Sequence, residues 1–256
     1  MKRCVESTVH ILGVRIDNLT MEEALARILE RVAEKRATQV SFVNADCLNI
    51  ASRDPAYRAA LAKSDLVFPD GSGCRLAGSV LGSPVRDNVN GTDLFPLLLD
   101  RLRPVRARIF LLGARPGVAE IVAEWIRSRH PELTVVGAEH GYFDAREEPA
   151  IADRIRSSHA DVLLVAFGVP RQELWIQKLL SGEQTCVALG VGGLFDFFSG
   201  RIPRAPAWLR SLGLEWTYRL AQEPRRMWRR YLIGNFTFMS RVLAERAGLS
   251  KFDAKR

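Results

Sequence analysis

The sequence predicts an α/β fold in which helices cover both faces of a mostly parallel sheet, and three observations carry that prediction. Segments 108–113 (RIFLLG), 161–168 (DVLLVAFG) and 186–190 (CVALG) are apolar runs of strand length closed by glycine, the pattern of strands buried on both faces. Strand-like and helix-like segments alternate along the chain, as βαβ connections require. The chain has 256 residues, of which 47% are hydrophobic, enough to bury one large core with an extension.

Residues 9–19 alternate enough for a strand, and Thr20-Met-Glu-Glu23 is a capping-box start for a helix to about Lys35. Segment 39–44 is the next strand and ends on Asn44; helical stretches follow through Asn49 and from Pro55 to Lys63. Segment 65–71 repeats the arrangement, a short apolar strand delivering Asp70 beside Gly71, although an Asp-Gly pair also reads as a plain turn. From Gly73 to Asp93 the chain is expected to be irregular, with a loop over 84–91 before a helix capped near Thr92 or Asp93. After strand 108–113 come a helix from Pro116 to about Arg129, a strand over 133–137, a turn over 141–144 and a helix over 147–157. Strand 161–168 then leads into Pro170, suited to a helix's first turn, with Arg171, Gln172 and Glu173 where helix amides are unpaired. Strand 186–190 runs into Gly190-Val-Gly-Gly193, so two strand ends converge on one crevice, where open α/β sheets take ligands. Those glycines also read as tight strand-to-helix packing.

The formal net charge of +8 is unevenly placed. Residues 1–200 hold 24 Lys and Arg against 25 Asp and Glu, and residues 201–256 hold 13 against 4, which divides the chain into a core (1–200) and a basic appendage (201–256). Such a tail suits nucleic acid, an anionic membrane surface or a phosphate-rich substrate. Leu209, Leu212, Trp216 and Leu220 fall at helical spacing; Trp228, Tyr231, Leu232, Met239, Val242 and Leu243 make a second stripe with Arg225, Arg226, Arg229 and Arg230 among them. The stripes fit helices that pack back on the core or meet lipid. Cys4, Cys47, Cys74 and Cys186 form no CxxC pair, so neither a zinc knuckle nor a disulfide framework is indicated and a reducing cytoplasm fits best. No secretory signal opens the chain, and no apolar stretch reaches the roughly 18–20 residues needed to cross a bilayer.

The chemical parts are therefore strand-end polar groups (Asn44, Asp70, Gln172), glycine-rich loops and an arginine-rich tail able to neutralise a diphosphate. DxD, HExxH and GKS/T are absent, so a metal-clamped diphosphate, a zinc protease and a P-loop are unsupported. Gly190-Val-Gly-Gly-Leu-Phe195 has phenylalanine where a dinucleotide fingerprint needs its third glycine.

Seven runs, Asn44-Ala-Asp46, Pro69-Asp-Gly71, Gly141-Tyr-Phe143, Pro170-Arg-Gln-Glu173, Gly190-Val-Gly-Gly-Leu-Phe-Asp-Phe197, Arg204-Ala-Pro-Ala-Trp208 and 214–226 (LEWTYRLAQEPRR), resemble the WecG/TagA/CpsF glycosyltransferases, family 26, in order over residues 9–232. The resemblance implies a metal-independent, cofactor-free, inverting transfer from a UDP-sugar to a polyprenyl-diphosphate-linked saccharide. It also implies a Rossmann-like core, completed by the appendage, at the inner face of the cytoplasmic membrane. It makes Asp70 the general base, puts Gln172, Asn44 and Asn88 with Gly190, Gly192 and Gly193 at the substrates, and brings Arg219, Arg226 and Arg229 to the diphosphate. A homo-oligomer is compatible with it, and no nucleic acid is expected.

Two departures bear on the sugar. N-acetylmannosamine-transferring members usually have Thr-x-Asn where this chain has Phe42-Val-Asn44, and Arg-Val-x-Gly where it has Asn88-Val-Asn-Gly91; both lost groups would face substrate. In these runs the chain is similar to the xanthan-type, GumM-like exopolysaccharide glucosyltransferases, which makes UDP-glucose the expected donor and UDP-N-acetylmannosamine or its uronic acid the alternative. A reading from another class is a non-catalytic nucleic-acid-binding protein whose tail tracks phosphates, but it leaves Asp70 and both strand-end loops without a role.

Overall fold

The computed structural model describes residues 7–182 and 186–249, apart from the side chains of Ala207, Ser211 and Arg226. It opens with β1 (Thr8–Ile11) and β2 (Val14–Asp17), an antiparallel hairpin that forms its own two-stranded sheet. The single strand expected over 9–19 is thus interrupted: Leu12 and Gly13 both have positive φ, 51° and 74°, the two-residue turn whose twist matches a hairpin. Next come α1 (Met21–Ala33), with both bonds of the Thr20–Glu23 capping box, then β3 (Thr38–Val43), α2 (Ala45–Ala51), α3 (Pro55–Lys63) and β4 (Leu66–Pro69).

The stretch expected to be irregular contains a ten-residue helix, α4 (Ser72–Leu81). Its glycines lower helix propensity, but packing overrides that: Cys74, Ala77 and Gly78 are buried, and a Cβ on Gly78 would lie 2.7 Å from the Ser83 carbonyl oxygen. Next, α5 (Gly91–Leu102) is capped by Asn90, earlier than the expected Thr92 or Asp93. The rest of the core is β5 (Arg108–Gly113), α6 (Val118–Arg129), β6 (Thr134–Glu139), α7 (Glu148–Ser157), β7 (Val162–Ala166), α8 (Arg171–Leu180), β8 (Val187–Gly190) and α9 (Leu194–Phe198).

β3 to β8 form one parallel sheet in the order β4-β3-β8-β7-β5-β6. Successive residues serve opposite faces. Ile109 and Leu111 join a cluster with α1, α5, α6 and α9, while Phe110 and Leu112 join one with α7 and α8, which is why these strands read as unbroken apolar runs. β5 connects outward to β6 and its neighbour β7 connects the opposite way to β8, so the strand order reverses between them. A crevice opens at such a reversal.

The appendage runs through α10 (Ala207–Ser211), α11 (Glu215–Gln222), α12 (Pro224–Trp228), a π-helical turn (Arg229–Ile233) and α13 (Gly234–Arg246). α13 packs on the core: Phe238 and Val242 are buried with the hairpin, α2 and α4, Arg241 donates to Asn49 Oδ1 at 2.6 Å, and Glu245 accepts from the Leu12 amide at 3.0 Å. The apolar stripe divides accordingly. Met239 and Val242 turn inward, while Trp228, Leu232 and Leu243 are exposed, as is Phe236 outside the stripe. Among the described residues no helix is long and apolar enough to cross a membrane. Cys47, Cys74 and Cys186 are buried thiols in no disulfide, and Cys4 lies outside the described residues.

Candidate active site

Two clefts open at the carboxyl ends of the sheet. A cavity of about 460 Å³ lies beyond β3 and β4, between Asn44, Asp70 and Asn88 on the core and Arg219, Arg230 and Tyr231 on the appendage. A groove of about 800 Å³ lies beyond β5, β6 and β7, where the strand order reverses, and is lined by Arg115, Tyr142, Arg171, Gly192 and Gly193 among others. The partition between them is built from α9 and α11. Phe197 and Arg219 face the cavity, whereas Asp196 and Gln222 face the groove.

Asp70 is held by its surroundings. Its amide donates to the Val43 carbonyl at 2.8 Å, Asn44 Nδ2 donates to its carboxylate at 3.4 Å, and the next amide, Gly71, donates to Asn88 Oδ1 at 2.6 Å. Asn44 Oδ1 caps α2 through the amides of Asp46 and Cys47, which fixes the Asn44 side chain too. Burial pushes the Asp70 carboxyl above its ordinary range and Glu215 adds to that, while the Asn44 bond, Arg230 and Arg219 pull it back. A carboxylate raised in this way, at a cavity floor, is suited to accept a proton.

The appendage supplies the cavity's positive charge, though not only from the arginines that the resemblance named. Arg219 lies against Gly193, where a Cβ would come within 3.1 Å of its Nη2, and its guanidinium sits 5.3 Å from the Phe197 ring centre. Its Nε is buried without a hydrogen-bond partner. Arg230 enters the cavity and pairs with Asp46 at 3.1 Å. Arg229, expected at the diphosphate, is exposed and rests over the Trp228 ring instead. A π-helical turn spans Arg229–Ile233, and Arg230 and Tyr231 within it line the cavity. The Arg226 side chain lies outside the described residues.

Gln172 lies beneath the surface rather than on it. It is 2% exposed, its oxygen accepts the amides of Gly168 (3.1 Å) and Gly192 (3.0 Å), and its nitrogen donates to Glu173 Oε1 (2.9 Å). A Cβ on Gly190 would meet that nitrogen at 2.9 Å, so Gly190 makes room for Gln172 and Gly193 for Arg219. The packing account of these two glycines therefore holds alongside any contact with ligand. Phe42 does not face the cavity either: it is buried against Phe68, and its ring covers Gly91. Of the two departures from the family pattern, Asn88 alone lines the cavity.

Arg230, Tyr231 and Asp93, though named in the sequence, were not among the residues expected at the site. Asp93 Oδ1 accepts from Arg204 at 2.5 Å and Arg210 at 3.2 Å, joining α5 to the start of the appendage. Its carboxyl sits below the ordinary value: burial raises it, but the bonds from Asn90 and Arg204 and the charges of Arg204 and Arg210 together outweigh that. The Arg204-Ala-Pro-Ala-Trp208 run was the available signal.

The model of the Glycosyl transferase WecG/TagA/CpsF family matches residues 9–251, nearly the whole described chain. The chain belongs to this family. A WecG/TagA/CpsF chain is a glycosyltransferase, so the protein is an enzyme. It is 37% identical over 182 residues, 71% of this chain and 70% of the other, to a Bacillus spizizenii protein named N-acetylglucosaminyldiphosphoundecaprenol N-acetyl-beta-D-mannosaminyltransferase. A Bacillus subtilis protein of the same name is 33% identical over 227 residues, 88% of this chain and 86% of that one. Neither name is that of a glucosyltransferase, and the closeness expected to the xanthan-type enzymes is not shown.

Proposed function

We propose that the protein transfers an N-acetylmannosamine-type sugar from a UDP-sugar to a diphosphate-linked N-acetylglucosaminyl polyprenol, with inversion and with arginines rather than a metal ion at the leaving diphosphate. The observation that carries the mechanism is the convergence of a raised carboxyl, Asp70, and two guanidiniums, Arg219 and Arg230, on one cavity. Asp70 takes the proton of the acceptor hydroxyl as that oxygen attacks the anomeric carbon. The bond to the UDP oxygen breaks on the opposite face, so an α-linked donor yields a β-linked product. Charge developing on the departing diphosphate is met by Arg219, which stands at the partition between cavity and groove, and by Arg230. The groove's cationic rim and open glycine backbone suit the nucleotide, and the cavity suits the acceptor sugar.

The names of the relatives favour N-acetylmannosamine, and the burial of Phe42 removes one of the two residues that pointed to glucose. Asn88 supports glucose as the second reading, since an uncharged amide there pairs less well with a charged substituent than the arginine it replaces. Trp208, Trp228, Leu232 and Phe236 are exposed beside basic residues, which supports an enzyme that rests on the inner leaflet and meets its lipid-linked acceptor there. Anionic lipid attracts each basic residue by about 1 kcal/mol near the surface. A UDP-release assay with a short-chain lipid-diphosphate-GlcNAc acceptor tests the reading: turnover with UDP-N-acetylmannosamine well above UDP-glucose is expected, and the reverse order would install glucose.

A further inference from the structure

Beneath the turns that follow β7 and β8 lies a carboxyl that the proposed mechanism does not use. Glu173, in the first turn of α8, is fully buried. Its Oε1 accepts from Gln172, its main-chain oxygen accepts from Gln39 Nε2 at 3.2 Å, and its Oε2 has no hydrogen-bond partner. The environment is otherwise neutral: Tyr57 of α3 and Cys47 of α2 face it, both pushed upward by burial, the thiol to about 12. Among the described residues, no cation is one of the groups that act on it.

We infer that Glu173 is a positioning residue that acts through Gln172, fixing its carboxamide in one orientation and thereby holding together the strand-end turns at Gly168 and Gly192. The geometry leaves little freedom. Two amide N–H groups, one after β7 and one after β8, converge on the same Gln172 atom, and only the oxygen can accept both. The nitrogen then needs an acceptor in an otherwise apolar layer, and Glu173 Oε1 is that acceptor. Gly190 prevents escape on the other side, because the nitrogen already fills the space a side chain would take. Gly168 and Gly192 both line the groove, so the orientation of one buried carboxamide sets the spacing of its two walls.

The carboxyl keeps its proton well above the pH at which an exposed glutamate has lost it. Burial pushes it up to about 7 from the ordinary 4.5, against the lowering effect of the Gln172 and main-chain bonds. Because the folded pKa is raised, the folded state keeps the proton where the unfolded chain has lost it. Stability therefore falls as pH rises from about 4.5 to about 7 and is level above that.

The test uses the full-length protein with Glu173→Gln, Glu173→Ala, Gln172→Ala and the Glu173→Ala, Gln172→Ala double variant. Its turnover arm rests on the function proposed above; its melting arm does not. Glu173→Ala should raise the KM for the UDP-sugar more than it lowers kcat, with kcat/KM down by up to about 10²-fold, the size expected when a site is misplaced by an ångström. Glu173→Gln keeps an acceptor oxygen and should recover most of that loss. The double variant should match Gln172→Ala alone, because Glu173 has nothing to act on once Gln172 is gone. In melting temperature, Glu173→Gln should lose the fall that the wild type shows between about pH 4.5 and about 7. Additive losses in the double variant, an unchanged donor KM in Glu173→Ala, or the same pH slope in Glu173→Gln would each overturn the inference. A wild type that turned over no UDP-sugar would remove the proposed function, and the same four variants compared by melting temperature would still read the coupling of Glu173 to Gln172.

Discussion

The core and the appendage contribute to one cavity by opposite means. Asp70, Asn44 and Asn88 are fixed through main-chain partners: a strand carbonyl, a helix N-terminus and the Gly71 amide. Arg219 and Arg230 sit on short helical pieces held by side chains: Arg230 on Asp46, and the entry to the appendage on the Asp93 pair with Arg204 and Arg210. Main-chain anchors persist as long as the sheet does, whereas partly exposed ion pairs are individually weak and yield to salt. The carboxyl proposed as base is thus anchored by the sheet and the arginines proposed to assist the leaving group by ion pairs, so the two should respond differently to salt.

The largest effect should come from the rigid side. Asp70→Asn is expected to lower kcat by about 10²- to 10⁴-fold with the fold intact, the range for loss of a general base. The wild-type acid limb of kcat/KM should lie above the ordinary carboxylate range, since burial raises Asp70, and activity should grow as pH rises through it. Glu215→Gln should move that limb down, because Glu215 is one of the groups raising Asp70. A limb in the same place in Asp70→Asn would assign it to another group.

Next in size are the appendage cations. Arg219→Ala and Arg230→Ala should each cost about 10²- to 10³-fold in kcat, as for removal of one charge-stabilising donor. Arg229→Ala should stay within a few-fold of wild type, since that side chain lies on the outer surface. A large loss in Arg229→Ala with little in Arg230→Ala would reverse the assignment of the two.

A smaller effect is expected at the junction. Asp93→Ala should weaken docking by about 1–2 kcal/mol, costing up to roughly tenfold in rate, with protease sensitivity appearing between residues 203 and 230. The Asp93 carboxyl is depressed in the folded state, so its contribution is present above the usual carboxylate value and is lost as pH falls through the depressed one. Activity of the wild type should therefore decline with added salt more steeply than that of Asp93→Ala, and equal slopes would separate the junction from docking.

The sheet was legible because its strands are buried on both faces, and continuous apolar runs such as 108–113 and 161–168, too short for a buried helix and closed by glycine, fit little else. Asp70 and Asn44 were legible because polar groups at strand ends are exceptions to those runs. The hairpin reads as one strand in sequence because a positive φ at Leu12 is not written in its side chain. α4 was missed because close packing, not propensity, makes Gly73 and Gly78 helical. Gln172 and Phe42 were assigned to substrate because a sequence gives a residue's place along a strand or helix but not whether its side chain ends above or below the floor. Arg229 was expected at the site on the resemblance alone; the structure sets Arg230 in the cavity and Arg229 outside it, in a segment where the helical step changes.

That change of step has a consequence for chain length. A wide turn inside a helix accommodates about one residue more than the regular spiral would over the same rise. Downstream, α13 is clamped by Phe238 and Val242; upstream, Arg230 faces Asp46. Between these fixed points the surplus residue is slack. Shortening the segment by one of its exposed members, Leu232 or Ile233, would convert the wide turn to a regular one while leaving both ends in phase. Such a deletion should preserve most turnover, whereas an insertion at the same place should swing Arg230 out of the cavity.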